Sequence, residues 1–241
     1  TATTATAWGK FLQAAGFDET VGGSDVIYLP ESAATTNPLS FALWYGPTSS
    51  TSGKLYSAKG CRCQSLTLDI TAGQALKASF VFMGAFNDAA EATVFSSPTY
   101  ESTVPQTCRN LGMTVGSWTP FFTNMTINIT NTLAAIVNPG AAAEASGINR
   151  YEITGRRTDG TLTFMDVLEA DKDWIADLLA GTQSAFTLTH GATSGNKITL
   201  SGPKFQFLEG PEADLDGVLG RALRYKFARS AGDDEFKFTT F

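Results

Sequence analysis

The chain has 241 residues, of which 43% are hydrophobic and 17% charged, so it can bury a sizeable core and should fold. Its formal net charge of −6 is the wrong sign for a protein that grips phosphates, so any contact with nucleic acid should be non-adhesive. No run of the sequence approaches the ~20 consecutive apolar residues of a membrane span. The composition therefore predicts a soluble protein with no membrane partner.

The N-terminal part begins with a stretch of Thr and Ala, residues 1–7, which we interpret as a flexible arm. Apolar residues at helical spacing from Trp8 to Ala15, followed by Gly16, predict a short helix. Val26 to Leu29 and the alternating run from Leu39 to Tyr45 predict two strands. The next segment, residues 46–54, is rich in Ser and Gly and has no apolar side chain, which predicts a mobile loop before the strand resumes at Leu55.

The clearest element is a hairpin within residues 61–84, where apolar and polar residues alternate on both sides of a small-residue break. The parity of the two runs predicts that Leu66 opposes Phe80 on the buried face. On the other face, it sets Asp69 opposite Lys77. That second face is expected to carry small or charged side chains, namely Cys63, Thr67, Asp69, Lys77 and Ser79.

The middle of the chain has a weaker pattern. Residues 87–117 are polar with isolated apolar side chains, and we interpret them as an insertion or long loop. Strands are predicted again from Met125 to Ile129, around Tyr151 and Ile153, and around Leu162 and Phe164. Between the last two, Thr158-Asp159-Gly160 predicts a turn.

The last third predicts a second helix and a final group of strands. Asp171 is the expected N-cap of a helix that ends at Gly181. Strands follow near 186–190 and 198–207, with a bulge or edge break at Gly202-Pro203. The remaining predicted elements are an acidic loop at residues 209–217, a strand at residues 219–227 with Leu223, Tyr225 and Phe227 on one face, and a closing strand with Phe236 and Phe238.

Together these elements predict an all-β fold in a single domain, residues 1–241. The pattern gives about ten strands and one or two short flanking helices, without the repeated helical crossovers of a parallel sheet. Antiparallel sheets that form a β-sandwich or partial barrel are the architecture that fits.

The sequence predicts no catalytic, cofactor or metal site. His190 is interpreted as a strand residue with an ordinary hydrogen bond, and no nucleophile-elbow, zinc-protease or nucleotide-binding motif is present. Cys61 and Cys63 are expected to be reduced thiols on one strand face. The acidic groups around Asp214 and at residues 233–235 are interpreted as solvated loop charge.

One segment reverses the acidic charge of the chain, with Arg221, Arg224, Lys226 and Arg229 close together. These residues could form a nucleic-acid face or a subunit contact that is salt-bridged to the acidic segments 209–216 or 233–235. The acidic balance of the whole chain favours the subunit contact.

Several segments in this order resemble the major tail tube proteins of long-tailed, siphovirus-type bacteriophages. They are FLQAAGFDETV, YSAKGCRCQSLTLDITAGQALKASFVFMG, NRYEITGRRTDGTLTF and TLTHGATSGNKITLSGPKFQF, followed by DLDGVL and AGDDEFKFTTF. The resemblance implies a structural virion protein, not an enzyme, that needs no cofactor. It implies homo-hexameric rings that are assembled in the host bacterial cytoplasm and stacked into a tube, through which double-stranded DNA passes without specific binding. Tail terminator, baseplate or tape-measure proteins are the implied further partners.

The resemblance also turns three groups of residues into candidate sites. The candidate lumen or subunit-contact face is Thr67, Asp69, Lys77 and Ser79. The candidate inter-ring loop comprises Gly46, Pro47, Ser49, Ser50, Ser52 and Lys54. The candidate subunit contacts are Arg221, Arg224 and Lys226.

Two other functions fit an all-β chain. A glycan- or surface-binding β-sandwich module would show an exposed cluster of aromatic residues, whereas most aromatics here alternate into expected core positions. A hydrolase is disfavoured because the single histidine lacks a recognisable nucleophile motif.

Overall fold

The computed structural model describes residues 8–32, 37–46, 52–93, 104–109, 111–139 and 147–241, and the all-β class is confirmed. The two helices are α1 (Gly9–Ala14) and α2 (Trp174–Ala180). The strands are β1 (Phe17–Val21), β2 (Val26–Pro30), β3 (Leu39–Tyr45), β4 (Ser52–Thr71), β5 (Lys77–Thr93), β6 (Gly112–Val115), β7 (Phe122–Val137), β8 (Ile148–Met165), β9 (Ser184–His190), β10 (Ile198–Phe207), β11 (Glu212–Leu215), β12 (Val218–Ala228) and β13 (Lys237–Thr240).

The strands form one hydrogen-bonded sheet in the order β1-β2-β13-β10-β12-β8-β7-β4-β3. Four strands lie beside this path: β5 pairs with β4, β11 with β12, β9 with β10, and β6 with β9. Every pairing among the described residues is antiparallel, as the sequence predicts. Neighbouring strands are therefore joined without helical crossovers.

Helix α1 and the residue before it contact both ends of the sheet. On one side, the ring of Trp8 lies 5.9 Å from that of Tyr28 in β2. On the other, Phe11 lies 6.3 Å from Phe41 in β3 and 5.5 Å from Phe80 in β5. Because β2 and β3 are near opposite ends of the strand order, the sheet curls around a shared core, as in a partial barrel or sandwich.

The predicted register of the hairpin β4–β5 is confirmed. Leu66 pairs with Phe80, and Asp69 pairs with Lys77. The expected place of Cys63 on the polar face is wrong, because its side chain is fully buried. A β-bulge between Cys63 and Ser65 inserts one residue, and such an insertion reverses which face the preceding side chains occupy.

The predicted turn at residues 158–160 is also wrong, since β8 continues through it. Gly160 fits the strand interior because a Cβ there would lie 2.6 Å from the hydroxyl oxygen of Tyr225 and would collide with the carbonyl of Thr126. That hydroxyl donates a hydrogen bond of 2.6 Å to the Thr126 carbonyl. The glycine thus makes room for a buried tyrosine that crosses the sheet.

Helix α2 ends at Gly181, as predicted, with φ +65° in the left-handed region. Its N-cap is Asp173 and not the expected Asp171, and the Asp173 side chain accepts the Ala176 N–H at 2.8 Å. Asp171 instead belongs to a preceding turn, in which its N–H donates to the carbonyl of Leu168. The sequence therefore located the helix and misplaced its first turn by two residues.

The predicted acidic loop at residues 209–217 contains the strand β11 and a tight turn to β12. Asp216 and Gly217 have φ of 53° and 87°, and they connect the paired residues Leu215 and Val218. Two consecutive residues with positive φ form the Asp-Gly turn favoured in two-residue hairpins. The bulge expected at Gly202-Pro203 is confirmed by a register shift between Gly202 and Phe205.

Parts of the two expected loops have regular structure. Strand β4 begins at Ser52, three residues before the predicted Leu55, while residues 47–51 lie outside the described residues. In the segment 87–117, residues 87–93 extend β5 and residues 112–115 form β6. Residues 1–7, the expected N-terminal arm, also lie outside the described residues.

Candidate assembly surfaces

The outer face of the hairpin β4–β5 carries the candidate set Thr67, Asp69, Lys77 and Ser79. Lys77 and Ser79 are exposed, and the polar face continues onto β7, where Asn128 accepts a 3.0 Å hydrogen bond from the Thr67 hydroxyl. Asn124 on the same strand donates to Asp69 at 3.3 Å and to Thr71 at 2.7 Å. These side-chain bonds join β4 to β7, and the polar surface also includes the exposed residues of β5.

The structure separates the three basic residues that the sequence grouped together. Arg224 and Lys226 are exposed, while Leu223, Tyr225 and Phe227 are buried as predicted. Arg221 instead lies under α2, with its guanidinium 4.7 Å from the Trp174 ring, 2.9 Å from the Asp166 carboxylate and 3.0 Å from the Glu212 carboxylate. Its charge is therefore already matched within the chain.

A groove of about 530 Å³ joins the polar face to the exposed basic residues. It lies where β12 separates from β8, after the last pair between them, Lys226 and Asp159. Five basic side chains line it together with Asn128, namely Arg156, Arg157, Arg224, Lys226 and Arg229. Asp159 and Glu235 are the acidic residues of its lining, so the groove has an excess of positive charge in an acidic protein.

The lining of this groove includes an ionic cluster that the sequence did not predict, with Arg156 and Glu235 as its buried members. The side chain of Arg156, 2% exposed, donates from Nε to Glu235 at 2.6 Å and from Nη1 to the Gly16 carbonyl at 3.1 Å. Arg229 lies 3.4 Å from Glu235 and 3.4 Å from Asp233. The expectation of solvated charge at residues 233–235 is thus wrong for Glu235, which is buried.

Asp233 ties this cluster to the end of β2. Its carboxylate accepts hydrogen bonds from the Ser32 N–H at 2.9 Å and the Ser32 hydroxyl at 2.6 Å. The hydrogen bonds from Ser32 lower the pKa of Asp233, and the nearby positive charges of Arg229 and Arg156 lower it further. Burial acts in the opposite direction. The C-terminal segment is thereby attached to the end of β2 and to β8, and through Arg156 to Gly16.

The cysteines and the histidine are buried structural residues. Cys61, Cys63 and Cys108 are free thiols, and burial raises the pKa of Cys63 to about 11. His190 is buried, and its Nδ1 has no hydrogen-bond partner among the described residues. Across the same residues, no group of three or more His, Cys, Asp or Glu side chains could hold a metal ion.

The candidate inter-ring loop lies at one end of the sheet, between β3 and β4. Gly46 follows Tyr45, which pairs with Lys54, and Ser52 pairs with Thr93 of β5. Pro47, Ser49 and Ser50 lie outside the described residues. The Lys54 ammonium group lies 5.4 Å from the ring centre of Tyr56, so the base of this loop is both basic and aromatic.

The two longest open strand edges in the described part of the chain belong to β5 and β8. Strand β5 is 17 residues long and pairs with β4 alone. Residues 148–157 of β8 pair with β7 on one side, because β12 contacts β8 only from Asp159 onward. Long edges that remain open are templates for pairing with another chain.

An acidic all-β chain with such edges has the features of a subunit that is completed by assembly. The family model of the phage tail tube protein matches residues 1–220, and the chain therefore belongs to this family. A comparison with curated protein sequences gave no match. The protein is a structural subunit of a phage tail tube, and among its described residues no helix is both long and apolar enough to cross a bilayer.

Proposed function

We propose that this chain is the ring subunit of a siphovirus-type tail tube, in which six copies form a ring and stacked rings enclose the channel for DNA ejection. The open edges of β5 and of residues 148–157 in β8 carry this proposal. In this arrangement, the β5 edge of one copy pairs with the β8 edge of the next copy. The contact is therefore head-to-tail, and six such contacts close the ring. Ring closure removes the edges that would otherwise aggregate.

Charges along the two edges support this pairing. Asp88 and Glu91 are exposed on β5, whereas Arg150 and Arg157 are exposed on β8. Both arginines now pair with carboxylates in their own strand, Glu152 and Asp159. Such exposed pairs contribute little to stability, so they can exchange partners when a neighbouring acidic edge arrives.

The polar face of Thr67, Asp69, Lys77 and Ser79 is the candidate lumen or subunit-contact surface. This face offers no apolar anchor, and its one basic residue, Lys77, pairs with Asp69, which suits double-stranded DNA that must pass without specific binding. The net charge of −6 per subunit also disfavours tight binding of the DNA phosphates. Arg224 and Lys226 are proposed as subunit contacts at the groove beside this face. Arg221 is proposed as a third subunit contact, although it is already paired within the chain.

The loop at residues 46–54 is proposed to contact the next ring, through Gly46, Pro47, Ser49, Ser50, Ser52 and Lys54. The ends of the tube would then meet tail terminator, baseplate or tape-measure proteins in a virion that assembles in the bacterial cytoplasm. A single domain over residues 1–241, with residues 1–7 as an arm, is part of the same proposal.

Lateral association can be tested at the β5 edge. Phe86 is 48% exposed there, and a lysine at this position places a charge where a neighbouring strand would pair. Phe86→Lys should keep the monomer folded and weaken ring formation in sedimentation velocity at a series of concentrations. Leu29→Lys, on β2, which is paired on both sides, is the control and should assemble like the wild type. Equal ring formation in both variants would overturn the edge assignment.

A further inference from the structure

An apolar groove of about 420 Å³ lies at the end of the sheet that is remote from the loop 46–54. Its apolar lining is Phe121, Met165, Leu215 and Val218. Phe121 is 67% exposed and Val218 49%, although both are large apolar residues in a well-packed chain. Exposed apolar surface that forms a concave site marks a place where another molecule docks.

The groove has an acidic rim. Asp214 and Asp216 line it, and both are exposed. The Asp-Gly turn holds them beside Val218, and Asp214 accepts the Gly217 N–H at 2.6 Å. The groove therefore favours an occupant that carries apolar or aromatic side chains together with a positive charge.

The opposite end of the same molecule has this chemistry. Leu43 and Tyr45 are 55% and 62% exposed at the end of β3. Tyr45 pairs with Lys54, and its ring lies 5.6 Å from that of Tyr56. These four residues, Leu43, Tyr45, Lys54 and Tyr56, are here called the β3–β4 knob.

The knob and the groove lie toward opposite ends of one copy. Lys54 lies near one end of β4 and Thr71 at the other, separated by up to ~55 Å of strand at ~3.3 Å per residue. Thr71 pairs with Asn124, close to the groove residue Phe121, whose carbonyl accepts the Met165 N–H. Two complementary surfaces at opposite ends of one chain produce a head-to-tail contact that repeats along an axis.

We infer that the groove is the docking site for the β3–β4 knob of a second copy of this chain, in the adjacent ring. The inference rests on the proposed ring assembly and names the receptor surface for the contact between rings. In it, Tyr45 and Leu43 fill the groove between Phe121 and Val218, and Lys54 approaches Asp214 and Asp216. The exposed apolar side chains at both ends are then covered by one repeated contact.

Electron microscopy of purified variants tests this contact. Val218→Glu places a negative charge in the groove beside two aspartates, and it should give separate rings where the wild type gives tubes. Val21→Glu on β1 is the matched control, because Val21 is 46% exposed and β1 lies four positions from β12 in the sheet order, and it should form tubes. Tubes formed by Val218→Glu would overturn the inference while leaving the ring intact; a wild type without rings would instead overturn the proposed function.

A cysteine pair gives a second readout that does not depend on blocking assembly. Tyr45→Cys combined with Val218→Cys should form intermolecular disulfides under mild oxidation, giving a ladder of multimers on a denaturing gel. The single variants should give at most dimers, and the three native thiols are buried. A double variant that assembles into tubes without a ladder would contradict the predicted proximity.

Discussion

The guanidinium of Arg156 lies 2.6 Å from the carboxylate of Glu235, and both side chains are almost fully withdrawn from solvent. This ion pair joins the middle of β8 to the segment that precedes β13, 79 residues later in the chain. Arg156 also reaches the Gly16 carbonyl, so one side chain holds three distant segments at the end of the groove. The proposed open edge of β8, residues 148–157, therefore contains a residue that is bonded to two distant segments of the chain.

Replacement of this arginine should destabilise the fold strongly. Arg156→Ala leaves the Glu235 carboxylate buried without its main partner, and the loss of one member of a buried pair typically costs ~3–5 kcal/mol. Urea unfolding followed by circular dichroism measures the change in the free energy of unfolding. Arg157→Ala is the control. It removes an exposed arginine that is paired with Asp159, and it should lower the free energy of unfolding by at most ~1 kcal/mol. Similar losses in the two variants would show that the cluster contributes no special stability.

A methyl group at position 160 should also be destabilising. In Gly160→Ala the new Cβ would meet the Thr126 backbone and the Tyr225 hydroxyl, and overpacking of this kind typically costs ~1–3 kcal/mol. Gly155→Ala is a control in the same strand, because its nearest neighbour, the Thr132 hydroxyl, lies at an ordinary contact distance of 3.6 Å. Thermal unfolding of both variants compares the two sites. A wild-type melting temperature for Gly160→Ala would contradict the close approach of Tyr225.

The register of the hairpin β4–β5 makes a third prediction. Asp69→Lys sets two lysines opposite each other, since Asp69 pairs with Lys77, and it removes the acceptor for Thr71 and Asn124. We expect a loss of about 1 kcal/mol, the size of a cross-strand pair effect, and a larger loss at low salt. Asp69→Asn, which keeps one side-chain acceptor, should lose less. A lysine variant as stable as the wild type would mean that this face does not hold the observed pairing.

Acid should weaken the attachment of Ser32 to Asp233. The pKa of Asp233 is lowered from 3.8 in the folded chain, chiefly by the hydrogen bonds of Ser32, so its ionised form stabilises the fold above that value. This contribution is lost as the pH falls below 3.8 through the lowered pKa. Chemical unfolding of wild type and Asp233→Asn at several pH values should show a stability difference that shrinks in this acidic range. A difference that is constant with pH would contradict the role of the carboxylate charge.

The sequence predicted those features that depend on local periodicity. The register of Leu66 with Phe80 follows from the strict alternation of apolar residues on both strands, and Gly181 ends α2 because a left-handed cap favours glycine. The Asp216-Gly217 turn also has a local signal, since Asp-Gly is a strong hairpin turn sequence. We interpreted it as part of a loop because the residues around it are acidic.

Other features depend on contacts between distant segments and could not be read from local patterns. Gly160 looks like a turn residue because nothing in its neighbourhood shows that Tyr225 will occupy the space of its side chain. The burial of Glu235 depends on Arg156, which the strand order brings to it. The bulge after Cys63 moves that thiol into the core, and the hydrophobic pattern alone does not mark the inserted residue.

The proposed tube assembly can be tested by negative-stain electron microscopy of the purified wild-type chain at increasing concentration. If the open edges of β5 and β8 pair as proposed, the chain forms rings with a central channel, six subunits in each under the proposed assembly, and the rings stack into tubes as the concentration rises. Sedimentation should then show a species of about six times the 25.6 kDa mass of the chain. A monodisperse monomer at every concentration, with neither rings nor tubes, would contradict the proposal that the chain builds a tube by closing its own sheet edges.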